Sequence, residues 1–114
     1  MKKSKYIIVF VTVPDKTTAG NIVKNVLKKK LAACVNIIKN TESFYWWKGK
    51  IEHSKEILLI MKTVKSKFTI LEKHIKDIHP YEVPEIISSE ISDANKDYLD
   101  WIENNAGQDS IILE

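Results

Sequence analysis

Two segments of this sequence are apolar at nearly every position, and they constrain the possible folds more than any other feature. One runs from Tyr6 to Val13, and the other is centred on Ile57 to Met61. Because successive side chains of a strand point to opposite faces, both segments predict inner strands of a sheet that is apolar on both faces. Neither segment approaches the ~20 apolar residues that cross a bilayer, so we predict no membrane association.

After the first of these strands, the hydrophobic pattern predicts a helix and then one long hairpin, which contains the second strand. Apolar side chains recur at helical spacing from residue 19 to residue 31, after Asp15 or Thr17 as the capping residue. Residues 32–63 predict a hairpin whose tip lies between Trp46 and Lys50. Gly49 supplies the positive φ that such a tip requires.

The second half of the chain continues the alternation of strands and helices. Ser66 is expected to cap a second helix, which His79-Pro80 ends. A short strand over Glu85–Ile91 and a third helix over Asp93–Asn104 follow. Ile111–Leu113 is a possible short last strand.

This order of elements predicts an α+β fold. The series β-α-β-β-α-β with a C-terminal helix is the ferredoxin-like arrangement, which has one antiparallel sheet with helices on one face. We assign residues 1–114 to a single domain of this kind.

The second face of the predicted sheet needs a cover that two helices cannot provide. Ile8, Phe10, Leu58 and Ile60 point to that face, and each is worth roughly 1.5–3 kcal/mol when buried. Their sum, roughly 6–12 kcal/mol, is comparable to the stability of a whole domain. The cover is either the third helix with Trp101, a partner protein or copies of the same chain, and a closed ring of copies is the simplest arrangement.

The composition excludes several functions and favours a reducing compartment. All 18 basic residues are lysines, and the net charge is +3. Without arginine, bidentate contacts to phosphates or guanines are lost, so we predict neither nucleic-acid binding nor phosphate chemistry. Cys34 is the single cysteine, so no intrachain disulfide can form, and no targeting segment is recognisable. We therefore predict a cytoplasmic protein.

Five segments, in order along the chain, resemble the CutA divalent ion tolerance family. Two of them read Tyr-Trp-Trp-Lys-Gly-Lys and His-Pro-Tyr-Glu-Val-Pro-Glu, and the likeness extends from about Tyr6 to Ile102. The segments are Leu31–Ile37, Tyr45–Glu52, Lys62-Thr63, His79–Glu85 and Tyr98–Ile102.

The resemblance implies a ferredoxin-like subunit in a homotrimer built through the sheets and the long hairpins. It also implies a non-catalytic role in the response to divalent cations, with copper binding in some members of the family. Those members carry a Cys and a His where this chain has Val11 and Ile78. An alternative is a trimeric sensor or scaffold that resembles the PII signalling proteins and binds a small anion or a protein partner between subunits.

Four residues are candidate ligands for Cu²⁺ or Zn²⁺. His79 precedes a Pro-x-x-x-Pro loop that carries Glu82 and Glu85, and imidazole with carboxylate suits these ions. Cys34 is a candidate soft ligand. The alternatives are that His79 forms hydrogen bonds at the end of its helix and that Cys34 is a small apolar residue.

Four further residues are candidates for a cleft between subunits: Lys62, Tyr81, Trp47 and Trp101. Lys62 lies on the same strand face as Leu58 and Ile60, so it needs Glu56 or Glu85 as a partner, or it binds an anion. The aromatic residues are expected to pack subunits together. No nucleophilic triad is visible, so we predict that the protein is not an enzyme.

Overall fold

Four antiparallel strands form one sheet in the order β2-β3-β1-β4, so the predicted α+β fold is confirmed. The structure is a computed structural model and describes residues 4–107. The possible last strand, Ile111–Leu113, lies outside these residues. The elements are β1 (Tyr6–Val13), α1 (Lys16–Lys28), β2 (Cys34–Trp47), β3 (Lys50–Val64), α2 (Phe68–Ile78), β4 (Ile86–Glu90) and α3 (Lys96–Ile102).

One face of the sheet carries the hydrophobic core. Val9 of β1 and Met61 of β3 are opposite each other in register, and both are fully buried. The alternation predicted for the two apolar segments is therefore confirmed. Helices α1 and α2 cover this face with the buried side chains Ala19, Ile22, Val26, Leu71 and Ile75.

The two long helices begin in different ways. The Asp15 carboxylate accepts a hydrogen bond from the Thr18 backbone N–H at 2.8 Å, as expected for the residue that caps α1. The prediction that Ser66 caps α2 is wrong. Strand β3 continues to Val64, and a 3₁₀ turn over Lys65–Lys67 then joins it to the helix. Ser66 lies inside this turn, and the residue at the capping position of α2 is Lys67, whose side chain makes no capping hydrogen bond to the helix.

Strands β2 and β3 extend well beyond the rest of the sheet. Strand β1 pairs with β3 only as far as Val13 and Ile57, so the hairpin beyond Ile57 is a two-stranded arm. Its tip is a turn at Lys48 and Gly49 with φ values of 50° and 80°, which matches the type I′ turn that suits twisted hairpins. We call residues 41–56 the arm.

The second face of the sheet, which we call the open face, is covered only at one end. Helix α3 and the turn after it pack against β3, where Val64, Ile102 and Ala106 are fully buried. Elsewhere on this face, four apolar side chains of β1 and β3 are only half-buried within the described chain. These side chains are Ile8, Phe10, Leu58 and Ile60. No helix within residues 4–107 has the length and apolarity to span a membrane.

Candidate functional site

A groove of about 820 Å³ lies beyond the end of β1, between the arm and the loop that follows α2. Its position follows from the fold, because β1 stops at Val13 while the arm continues, and the loop occupies the space beside it. Five aromatic residues line the groove: Phe44, Tyr45, Trp46, Trp47 and Tyr81. Four glutamates line it as well: Glu42, Glu56, Glu82 and Glu85.

Glu56 and Tyr81 are the most constrained pair in the groove. Glu56 comes just before Ile57, the first β3 residue that pairs with β1, and it is only 7% exposed. The Tyr81 hydroxyl donates a hydrogen bond to Glu56 Oε2 at 2.6 Å. Burial, together with this bond to the carboxylate, raises the pKa of Tyr81 well above its usual range. The phenol therefore stays protonated and donates to Glu56.

His79 holds the loop against the sheet. Its ring is 8% exposed, its Nε2–H donates to the Thr12 carbonyl oxygen at 2.7 Å, and its Nδ1 accepts from the Tyr81 backbone N–H at 3.1 Å. This assignment gives a neutral imidazole with both nitrogens engaged, because a carbonyl can only accept and a backbone N–H can only donate. In this arrangement the imidazole has no free lone pair for a metal ion.

The four predicted metal ligands do not come together within one chain. Glu82 and Glu85 line the groove and are exposed. Cys34 pairs in register with Lys62, six residues along β3 from Glu56, which corresponds to roughly 20 Å. In the part of the chain that the structure describes, no three His, Cys, Asp or Glu side chains are close enough to hold a metal ion. The donor set that residues 4–107 of one chain bring together therefore does not fit a tightly bound Cu²⁺ or Zn²⁺.

The other predicted cleft residues fall into two places. Trp47 and Tyr81 line the groove, whereas Lys62 pairs in register with Cys34 and Trp101 lies on α3. Trp101 stacks on Tyr98 with ring centroids 5.5 Å apart. Burial raises the pKa of the Tyr98 hydroxyl, and the neighbouring Cys34 thiol raises it further.

The predicted ion pair between Lys62 and Glu56 or Glu85 is wrong. The Lys62 ammonium instead donates a hydrogen bond to Asn36 Oδ1, and the Cys34 thiol lies 4.0 Å from the same oxygen. Asn36 is opposite Ile60 in register, so it lies diagonally across from Lys62 and within reach of a long side chain. Glu56 is too far along the strand for this contact.

The roles of Glu56 and Asn36 are not predicted by the sequence. The sequence pattern indicates Glu56 only as a possible partner for Lys62. A usable signal was present, because Glu56 directly precedes the apolar run Ile57–Met61 and alternates onto the face of Leu58. A carboxylate at the edge of an apolar strand is a candidate for burial, and a buried carboxylate needs partners.

The chain is similar to known proteins over most of its length. A family model described as "CutA1 divalent ion tolerance protein" matches residues 7–105. The chain is 46% identical over 96 residues to "Divalent-cation tolerance protein CutA" of Pyrococcus horikoshii. This match covers 84% of this chain and 93% of that protein. It is 44% identical over 99 residues to "Protein CutA 1, chloroplastic" of Oryza sativa subsp. japonica. That match covers 87% of this chain but only 56% of the rice protein, so the chain spans little more than half of that relative.

Solved structures agree with the fold. The crystal structure of CutA1 from Oryza sativa matches with a TM-score of 0.87 and 42% identity, covering 91% of this chain and 95% of that one. The periplasmic divalent cation tolerance protein CutA from Archaeoglobus fulgidus matches with a TM-score of 0.86 and 40% identity, covering 89% and 98%.

Proposed function

The chain belongs to the CutA1 divalent ion tolerance protein family, and from that membership we propose that it is a non-catalytic homotrimer that takes part in the cellular response to divalent cations. Three copies would cover one another's open faces and bring neighbouring arms together. The proposal includes a cytoplasmic location, which the free Cys34 thiol favours.

The open face of the sheet is the observation that carries this proposal. Ile87 of β4 is 54% exposed and lies beside Phe10, which is only half-buried. On the arm, Phe44 and Trp46 are 68% and 72% exposed. Extended apolar surfaces of this kind mark sites of association. A closed ring of identical copies covers them without creating a new unpaired surface.

Cation binding, in this proposal, is weak and is built where copies meet. One chain contributes the exposed carboxylates of Glu82 and Glu85, in the loop that His79 holds in place. A neighbouring copy would supply the remaining ligands, and its half-buried Cys34 thiol is an available soft donor. Val11 and Ile78 remove the two further ligands that copper-binding relatives are expected to use at those positions.

Two measurements test the proposal. Light scattering should give a mass three times that of the 13.2 kDa chain, and a mass of one chain would refute the trimer. Calorimetric titration with CuSO₄ and ZnCl₂ should give heat with the wild type and with Glu72→Gln, but not with the double variant Glu82→Gln/Glu85→Gln. Equal heats from all three proteins would remove the two loop carboxylates as ligands. We expect equal heats from the wild type and His79→Ala, because both imidazole nitrogens already form hydrogen bonds.

The alternative of a PII-like sensor that binds a small anion is not favoured in the groove, because four glutamates line it. The exposed aromatic side chains of the arm do favour a protein partner, which would make the trimer a scaffold. Co-purification of a stoichiometric partner that is lost in Trp46→Ala, whose ring is highly exposed, would support that second function. A trimer that binds no other protein would leave it without support.

A further inference from the structure

We propose that a cluster of exposed lysines at the C-terminal end of α1 docks an acidic segment of a partner protein. We call this cluster the basic patch; its residues are Lys24, Lys28, Lys29 and Lys30, with Leu27 among them. The inference goes beyond the proposed function and concerns the other side of the molecule. Helix α1 packs on the core face of the sheet, whereas copies that cover the open face lie on the opposite face.

The first argument is that the charges of the chain are segregated rather than mixed. Residues 16–30 contain five lysines and no carboxylate, whereas residues 80–107 contain seven carboxylates and one lysine. A general bias of composition towards lysine would place lysines in both segments. Like charges four residues apart, such as Lys24 and Lys28, also destabilise a helix. Local choices that cost stability are typical of functional surfaces.

The second argument is that the ammonium groups of the patch are not engaged within the chain. No carboxylate among residues 4–107 forms an ion pair with them, although three other lysines do form such pairs. The ammonium groups are not needed to end the helix either. The carbonyl oxygens of Asn25, Val26 and Leu27 accept hydrogen bonds from the backbone N–H groups of residues 29–31, so the backbone itself satisfies these helix-end carbonyls.

The backbone that carries the patch is fixed where the two long helices meet. The Lys67 ammonium, at the start of α2, donates a hydrogen bond to the Lys30 carbonyl at 3.3 Å and adds a positive charge beside the patch. The next carbonyl, that of Leu31, accepts from the buried Thr63 hydroxyl at 2.7 Å. A surface that is already fixed loses less conformational entropy when a partner docks on it.

The third argument identifies the chemistry of the partner. A positive surface attracts anionic partners. The patch contains no arginine, so it lacks the planar fork that holds a phosphate through two hydrogen bonds. Leu27 is 40% exposed within the patch and offers an apolar contact, but one half-exposed leucine is too little apolar surface to anchor a protein in a bilayer. A protein segment that combines carboxylates with apolar side chains matches both features.

The experiment is a fluorescence-anisotropy titration, at pH 7, of a short labelled peptide of alternating glutamate and leucine with the full chain. We expect binding that weakens as NaCl is added, and no binding of the matching peptide of glutamine and leucine. In Lys24→Gln/Lys28→Gln/Lys29→Gln, the affinity for the glutamate peptide should fall about tenfold, because three ion pairs are lost together. Absence of binding by the wild type would refute the proposal.

The matched control is Lys16→Gln/Lys73→Gln/Lys76→Gln. It removes the same charge from the same helical layer, but from the first residue of α1 and the second half of α2. We expect this variant to bind the glutamate peptide within about twofold of the wild type, because salt screens distant surface charges. Equal losses in the two triple variants would mean that the peptide responds to net charge alone, which would overturn the proposal.

Three further results would also overturn it. Equal or tighter binding of a single-stranded oligothymidylate of the same charge would make the patch a nonspecific polyanion site. Binding to vesicles of phosphatidylcholine and phosphatidylserine, without binding of the peptide, would make it a membrane-contact surface. A light-scattering mass of the patch variant that differs from that of the wild type would place the patch between copies of the chain. The wild-type mass reports the trimer separately, so failure of either idea can be recognised independently.

Discussion

Leu58 and Leu59 are successive residues of β3 that point to opposite faces of the sheet, and they form a matched pair for testing what covers the open face. Leu59 lies in the core and is fully buried, whereas Leu58 is half-buried within a single chain. Truncating a fully buried leucine to alanine costs about 2–5 kcal/mol. For Leu59→Ala we expect this cost in any state of assembly.

The expected cost for Leu58→Ala depends on the assembly. In an isolated chain, half of the side chain is already in contact with water, so truncation should cost about half as much, roughly 1–2.5 kcal/mol. If copies cover the open face, the side chain is fully buried, and the cost rises to that of Leu59→Ala. The difference between the two outcomes is roughly 1–2.5 kcal/mol, which is roughly a five- to seventyfold change in the unfolding equilibrium.

Urea unfolding, followed by tryptophan fluorescence at two protein concentrations, measures both variants. We expect similar losses of unfolding free energy per chain for Leu58→Ala and Leu59→Ala, and a midpoint that rises with protein concentration. A loss for Leu58→Ala that is about half of that for Leu59→Ala or smaller, at both concentrations, would refute the argument that the open face is covered.

Two further predictions concern buried hydrogen bonds. The fully buried Thr63 hydroxyl donates to the Leu31 carbonyl at 2.7 Å, so Thr63→Val should lower the free energy of unfolding by about 1–3 kcal/mol. Thermal unfolding measures this loss. An equal loss in Thr69→Val, on the exposed side of α2, would contradict the prediction. The folded-state pKa of Tyr81 lies above its ordinary value of 10.0, so its stabilisation is complete below pH 10 and is lost as the pH rises beyond that value. The difference in unfolding free energy between the wild type and Tyr81→Phe should therefore shrink above pH 10, and a difference that stays constant to pH 12 would argue against the bond to Glu56.

The sheet was predictable because its signal is local. Alternation along β1 and β3 places Val9 and Met61 in the core and Phe10 and Ile60 on the open face, as observed. The arm was also predictable, since Gly49 marks its tip. Ser66 misled the prediction, because a good capping residue does not start a helix when the preceding strand continues to Val64.

The groove was less predictable because it depends on contacts that are distant in sequence. Tyr81 reaches Glu56 across 25 residues, and His79 reaches Thr12 across 67. No local pattern reports such contacts. Lys62 was assigned the wrong partner for a related reason: the register of β2 places Asn36 diagonally across from it, and that register is not readable from either strand alone.

The central claim is that identical copies cover the open face, and sedimentation velocity of two isoleucine variants tests it most directly. Ile60 lies on the open face, whereas Ile70 is 50% exposed on α2. Circular dichroism first checks that each variant is folded. We predict that Ile60→Asp sediments as single 13.2 kDa chains, because a charge in that interface is left without a partner, while Ile70→Asp keeps the mass of the wild-type trimer. A folded Ile60→Asp protein with the same mass as the wild type would contradict the account.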